Sequence, residues 1–369
     1  MTPHDDLLLL LRNALWGEPI QMGDEKMAQE RYEAIMQLAQ EQAVTGLAGG
    51  AMMAGGIRLA KQPAMEVYAL TGATQQRNRQ IDRAVAALCQ RLEQEEGIRL
   101  IVVKGQTLAR HYPDPSLRQS GDIDFIVHPD DWQRAMTLLR ERMHLDICDT
   151  HSEKHVEFTV KDVDFEMHRM LTVFAHPGHQ RYWEQTVMPE IWGNVAHTDI
   201  LGQRVPVLSP THEVLYTFVH IFFHLIIEGI GLRQFCDWAT VTERTRRDVD
   251  TEALQRHLEG IGLQKAYTGL GAVLTDRLGL PMEHFPYPIS AQEHQQVETL
   301  MENIWKMGNF GHNQKYAQER GILHGAQHLW RIGRQASRFA HYAPAEAWWR
   351  IPYMFKWWGM KLRRMITKE

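Results

Sequence analysis

Apolar residues return every three or four positions through most of the first 96 residues, a spacing that predicts helices. LLLLLRNALW (7–16) and ERYEAIMQLAQEQAV (30–44) follow it. In QQRNRQIDRAVAALCQRLEQEEG (75–97), Ile81, Val85, Leu88 and Leu92 form one stripe, and Gly97 stands where a C′ glycine would end the helix.

The period then changes. RLIVV (99–103) is a short apolar run suited to a buried strand, followed at once by Lys104-Gly105 and by GQTLARHY, a short helix. DIDFIV (122–127) predicts the next strand, and DDWQRAMTLLRERM (130–143) a helix with acids in its first turn and arginines in its last. HLDICD (144–149), HVEFTV (155–160) and VDFEMH (163–168) are three further strand candidates. After about residue 205 helical spacing resumes, opened by Ser209-Pro210 as N-cap and first helical position. EVLYTFVHIFFHLII and RQFCDWATVTERT read as helices, as do segments within 251–278, 290–306 and 321–366, while LGLPMEHFPYPIS (278–290), with three prolines, reads as a loop. The expected organisation is an α+β fold: a helical region (1–96), a small mixed β-sheet core (97–208) and a second helical region (209–369).

Strand geometry gives these segments their chemical interest. Side chains alternate faces, so Asp122 and Asp124 project together, and so do Asp164 and Glu166. A D-x-D on a strand is often only a solvated face. If the two strands are neighbours, however, up to four carboxylates converge, and a divalent cation such as Mg²⁺ relieves their repulsion. On that view, removing Asp122 or Asp124 leaves the fold intact. Lys104-Gly105 opens a helix directly after a buried strand, a place where backbone N–H groups favour phosphate. Arg118 and Ser120 stand just ahead of the acidic pair, and His168-Arg169 ends the second acidic strand.

Composition narrows the classes. The chain of 369 residues has a formal net charge of −5, which argues against a general nucleic-acid binder. From Gly321 onward nine Lys/Arg face two Asp/Glu, a net of +7 that leaves −12 for the remainder. That basic end includes AEAWWRIPYMFKWWGMKLRRM, read either as a helix packing its tryptophans with its basic residues solvated, or as a surface for a membrane or another anionic partner. Cys89, Cys148 and Cys236 are widely spaced and form no CxxC, which fits a reducing, cytoplasmic setting. No apolar run reaches the roughly 18 residues of a transmembrane helix. Walker A, Gly-x-Ser-x-Gly and GxGxxG motifs are absent from the sequence.

VVKGQTLARHYPDPSLRQSGDIDFIV resembles the signature of the uncharacterised bacterial nucleotidyltransferase family of the polymerase-β-type superfamily. That pattern runs from an apolar strand through Lys-Gly, Tyr-Pro and Arg to Gly-Asp-Ile-Asp. Glu166-Met167-His168 is similar to its later Glu-x-His element, and His220, His224, Arg233 and Asp237 follow its helical His-x-x-x-His, Arg and Asp. The resemblance covers residues 1 to about 245. It implies a small mixed sheet with helices on one side, and transfer of a nucleotidyl group from an NTP. It makes Asp122 and Asp124 the metal-binding catalytic pair and Glu166 the third carboxylate. One departure stands out: the superfamily's Gly-Gly or Gly-Ser lies about ten residues before the acidic pair, whereas Gly105-Gln106 lies seventeen before Asp122.

The expected function is therefore Mg²⁺-dependent transfer of an NMP group to a hydroxyl acceptor: a sugar, another metabolite, a peptide or a protein. The triphosphate would sit near Lys104, Gly105, Arg118 and Ser120, with one or two Mg²⁺ on Asp122, Asp124 and Glu166. Glu166 or Asp164 would take the acceptor proton. By the resemblance, His168, His220, His224, Arg233 and Asp237 would line the nucleotide cleft. From spacing alone, Arg233 and Asp237 form an intrahelical ion pair. His220 and His224 share a helix face but lack the Glu of HExxH, and His212 lies too far along the helix to complete a zinc site with them. The rival reading is a non-catalytic nucleotide-binding regulator, such as an antitoxin-like partner protein.

Overall fold

The computed structural model describes residues 2–22, 26–148, 154–309 and 333–354. The N-terminal helices are α1 (Pro3–Trp16), α2 (Gln29–Glu41), α3 (Thr45–Ala54) and α4 (Lys61–Cys89). Thr2 and Asp5 form a capping box at α1, satisfying two donors that a bare helix end leaves orphaned. Helix α4 runs on through a π-helical turn to Glu95. Gly97 ends it in the left-handed region (φ 64°), with its N–H on the Glu93 carbonyl and that of Ile98 on Leu92.

The middle of the chain contributes β1 (Leu100–Val103), α5 (Gln106–Ala109), β2 (Ile123–Val127), α6 (Trp132–Thr137), β3 (His155–Val160) and β4 (Val163–His168). Then come α7 (Pro177–Tyr182), α8 (Met188–Gly193), β5 (Ala196–Ile200) and β6 (Gln203–Val207). The helices α9 (Pro210–Ile227), α10 (Leu232–Thr245), α11 (Thr251–Gly260), α12 (Gln264–Asp276) and α13 (Ala291–Met307) follow, and residues 344–354 are also helical. Among the described residues, none of the helices is long and apolar enough to cross a membrane.

The strands form one mixed six-stranded sheet in the order β3-β4-β2-β1-β6-β5. β2 is antiparallel to β1 and parallel to β4. Alternation then sorts side chains between two cores. Leu100, Val102, Ile123, Phe125, Val127, Val163, Phe165 and Met167 join a core built with Ile81, Val85, Leu88 and Leu92 of the α4 stripe and its extension, and with the α6 region. Ile101, Val103 and Ile126 face the opposite way, into the larger core shared with α1–α3 and α9–α13. Helices therefore cover both faces, not one. Asp124, Glu166 and His168 occupy the even positions of their strands, on the side of the helical body.

One strand expectation is corrected, and one hairpin is added. Among the described residues of HLDICD (144–148) no strand forms, and only Cys148 bridges to Glu157, because the chain leaves the helical turn after α6 as a loop. The β5–β6 hairpin was not anticipated. AHTDI and QRVPV carry little apolar content, but their alternation around the tight Leu201-Gly202 turn is a hairpin signal. The basic end is described only to residue 354, so most of its Lys/Arg lie outside the described residues. Within the described part the expected roles are exchanged: Arg350 is buried, stacked 5.2 Å over the Phe223 ring, while Trp348 is 73% exposed.

The loop leading into β2 rests on α3. A β-carbon at Gly46 would run into the Leu117 carbonyl oxygen and lie 2.9 Å from the Thr74 methyl. Alanine is the better helix former by about 1 kcal/mol, but overpacking against backbone costs about 1–3 kcal/mol and cannot relax by rotamer change. Gly46→Ala is expected to lower the urea midpoint without changing the m-value. An unchanged midpoint would mean that the loop gives way freely.

Candidate active site

The even face of β2 and β4 builds the floor of a cleft. Asp124 pairs in register with Glu166 across the parallel strands and with Val103 on β1. Lys104, one residue beyond Val103, therefore reaches the same point, its Nζ 2.6 Å from Asp124 Oδ1. His168 Nε2 lies 2.8 Å from the same oxygen and 3.3 Å from Glu166 Oε2. Reaching this position bends the backbone: Lys104 and Gly105 both take positive φ, 57° and 50°. The Gly105 conformation (ψ −121°) is one that a side chain would strain. Helix α5 spans only four residues, so the Lys104-Gly105 segment contributes an ammonium rather than a helix N-terminus.

Charge compensation differs among the acids. Burial would raise Asp124, yet the Lys104 ammonium and His168 hold it well below the usual carboxylate range. Asp122 is raised, first by the charge of Asp124 and then by burial. Burial opposes a charge on His168, but its hydrogen bonds to Asp124 and Glu166 raise it. Oxygens of Asp122, Asp124 and Glu166 lie within 4.8 Å of one another. A hard divalent cation suits this all-carboxylate donor set with its repelled Asp122. Asp164, by contrast, accepts a hydrogen bond from Thr159 Oγ1 on β3.

The loop before β2 is fixed from several sides. Arg118 Nε and Nη2 donate to Asp237 Oδ1 and Oδ2 at 2.6 and 2.8 Å, and the Tyr112 hydroxyl donates to the same carboxylate at 2.7 Å. Both partners of the bidentate pair are buried. Burial works against the Arg118 charge, and Asp237 more than reverses it. Asp237 is thus engaged across the fold by Arg118, while Arg233 donates to the Gln119 carbonyl at 3.1 Å. The intrahelical Arg233–Asp237 pair expected from spacing gives way to these tertiary contacts. Arg118 Nη1 also donates to Ser120 Oγ at 2.9 Å, and Ser120 donates to Gln106 Oε1 at 2.7 Å.

The opposite wall is α9. Tyr216, His220, His224 and Glu228 recur every fourth residue and face a cleft of about 700 Å³, the size of a small-molecule site. Of the sequence-predicted site residues, Lys104, Gly105, Arg118, Asp122, Asp124, Glu166, His168, His220, His224, Arg233 and Asp237 line this cleft. Ser120 supports it through Arg118. Burial, with Lys104 adding to it, pushes His220 well below the usual histidine range, and burial pushes the Tyr216 phenol up to about 12. Sequence reasoning missed Lys154 and Tyr216 in the lining. Tyr216 was findable as the residue one turn before His220. Lys154, pulled down to about 8 by burial and by nearby Arg350 and Lys104, carried no local signal.

These features belong to a known class. Residues 28–279 match the model of an uncharacterised nucleotidyltransferase family. The chain belongs to that family. Among solved structures, it is similar to an antigenic nucleotidyltransferase-like protein from Paracoccidioides brasiliensis, at 15% identity over 53% of this chain and 93% of that one, with a TM-score of 0.34. No curated protein matches.

The compensation pattern separates the two aspartates, for which the sequence gives one expectation, that removing either leaves the fold intact. Asp124→Ala leaves the half-buried Lys104 ammonium without its carboxylate, and breaking a fully buried pair costs about 3–5 kcal/mol, an upper bound here. Asp122→Ala relieves repulsion instead. Chemical denaturation is expected to show Asp124→Ala strongly destabilised and Asp122→Ala equal to or above the parent. Equal losses would contradict this division of roles.

Proposed function

We propose that the protein transfers an NMP group from an NTP to a hydroxyl acceptor. The observation that carries this reading is the convergence of Asp122, Asp124 and Glu166 on the floor of a cleft that also holds Lys104, Lys154 and Arg233. Acids for a cation and bases for a polyphosphate share one cavity. Asp122, Asp124 and Glu166 would hold one or two Mg²⁺, whose chemistry is to neutralise phosphoryl oxygens and polarise them toward attack.

The chain's own groups supply the rest. Lys104 and Arg233 would face the triphosphate, with Gly105 keeping the backbone clear and Ser120 holding the Arg118 fork in place. The α9 stripe with His220 and His224 would flank the nucleoside. The acceptor oxygen bonds to the α-phosphorus in line, the α–β anhydride bond breaks, and pyrophosphate departs. Glu166 is better placed than Asp164 to take the acceptor proton, because Asp164 is engaged by Thr159. The Lys104–Asp124 contact favours a second reading, a nucleotide-binding regulator whose cation position is held by the lysine.

Incubating the full-length protein with each labelled NTP, Mg²⁺ and a small-molecule extract as acceptor source separates the two. Pyrophosphate release that is abolished by chelation is expected. Asp122→Ala and Asp124→Asn should lower it by on the order of a hundredfold or more, and Glu166→Gln should cost far more than Asp164→Asn. Full activity in Asp122→Ala would refute the assigned pair, and equal effects on β4 would refute the choice of Glu166. NTP binding without pyrophosphate release under every condition would favour the regulator.

A further inference from the structure

A second cluster of metal-ligating side chains lies outside the cleft. Glu190 on α8, His212 in the first turn of α9 and His257 on α11 bring one ligand atom each within 4.8 Å of one another. None of the three lines the cleft. His212 and His257 are 4% and 1% exposed, and their rings lie 5.7 Å apart. Each imidazole is held through Nδ1 by a hydroxyl. His212 Nδ1 meets Ser209 Oγ at 2.8 Å, so the N-cap serine orients this ring instead of capping its helix. His257 Nδ1 meets the Tyr182 hydroxyl at 3.3 Å, which itself donates to the Arg256 carbonyl. These contacts leave both Nε2 atoms turned inward. Both are buried, and His212 Nε2 has no hydrogen-bond partner. His257 Nε2 lies 3.2 Å from Glu190 Oε2.

We infer that Glu190, His212 and His257 form a zinc site separate from the nucleotidyltransferase cleft. Two imidazoles and one carboxylate are a borderline donor set that suits Zn²⁺, whereas Mg²⁺ and Ca²⁺ prefer oxygen alone. Ligand bonds of about 2.1 Å in a tetrahedron place donors roughly 3.4 Å apart, and the Glu190–His257 separation already meets that. Hydroxyl partners on Nδ1 are the outer contacts that fix a metal-binding imidazole's tautomer and direction. A simple His257–Glu190 ion pair would leave His212 Nε2 buried and unsatisfied, a cost that the metal removes. Three protein ligands leave a fourth position for water. The site would tie α8, and through it the β5–β6 hairpin, to α9 and α11.

The test uses the full-length protein, stripped with a chelator and dialysed. One equivalent of Zn²⁺ is expected to raise Tm by about 5 °C. Co²⁺ should give visible bands of a four-coordinate site that Zn²⁺ displaces. His212→Ala and His257→Ala should lose both responses, and His220→Ala should keep them. Because removing a buried histidine can unfold the protein, Glu190→Gln at a half-exposed position is the deciding variant. It should leave the metal-free Tm unchanged and weaken Co²⁺ binding by about tenfold or more. A stripped protein with neither a Zn²⁺ shift nor a Co²⁺ spectrum overturns the assignment, and so does Glu190→Gln that binds Co²⁺ as tightly as the parent. Pyrophosphate release does not enter the readout, so this test stands apart from the fate of the cleft reading.

Discussion

Asp124 sits 3% exposed in the centre of the sheet, where an uncompensated carboxylate would cost several kcal/mol. The fold answers with two partners drawn from the neighbouring strands, Lys104 at the end of β1 and His168 at the end of β4. Both can reach Asp124 only in the observed register, antiparallel to β1 and parallel to β4. A one-residue slip would turn the acids into the apolar core and that core's residues into the cleft. The backbone contortion at Lys104 and Gly105 is the local consequence of bringing an ammonium back over the strand it has just left.

The cleft needs a second wall, and the Arg118–Asp237 pair ties the acidic loop to it. Its bidentate geometry fixes direction as well as distance, which a lysine could not do. The same loop is held at its other residues by Asn78, which donates to the Ser116 and Arg118 carbonyls, and by Thr45, which donates to Gln119. Helices α3, α4 and α10 thus converge on the segment that presents Asp122. Local stiffness of this kind is what a site relying on positioning requires.

Electrostatically the cleft is divided. Asp124 is compensated within the protein, while Asp122 is repelled by it and retains a demand for positive charge. Lys104, Lys154 and Arg233 line the same cavity. On the proposed reading, a cation and a polyphosphate would bind in this cavity together, which a metal store or a plain anion site would not require. The Glu190–His212–His257 cluster has a different character, with two imidazoles and one acid among helices, and it belongs to the stability of the helical body.

Much of this was legible in the sequence. The period of two in DIDFIV and VDFEMH placed Asp122, Asp124 and Glu166 on one face, and the period of 3.6 placed Ile81, Val85, Leu88 and Leu92 in a core. Both follow from local backbone geometry, which needs no knowledge of neighbours. What local geometry cannot supply is who lies opposite. Arg233 and Asp237 are one turn apart, yet the carboxylate is taken by an arginine 119 residues earlier. His212 was set aside as too distant from His220 to share a metal, and the structure instead faces it toward His257, from a different helix. HLDICD had strand composition, but its described residues, 144–148, join the sheet through one bridge alone, whereas the β5–β6 hairpin was completed by its place beside β1. Pairing, counter-charge and metal geometry are long-range quantities. They are decided only when the chain has folded, because only then does each buried charge meet the partner that makes its burial tolerable.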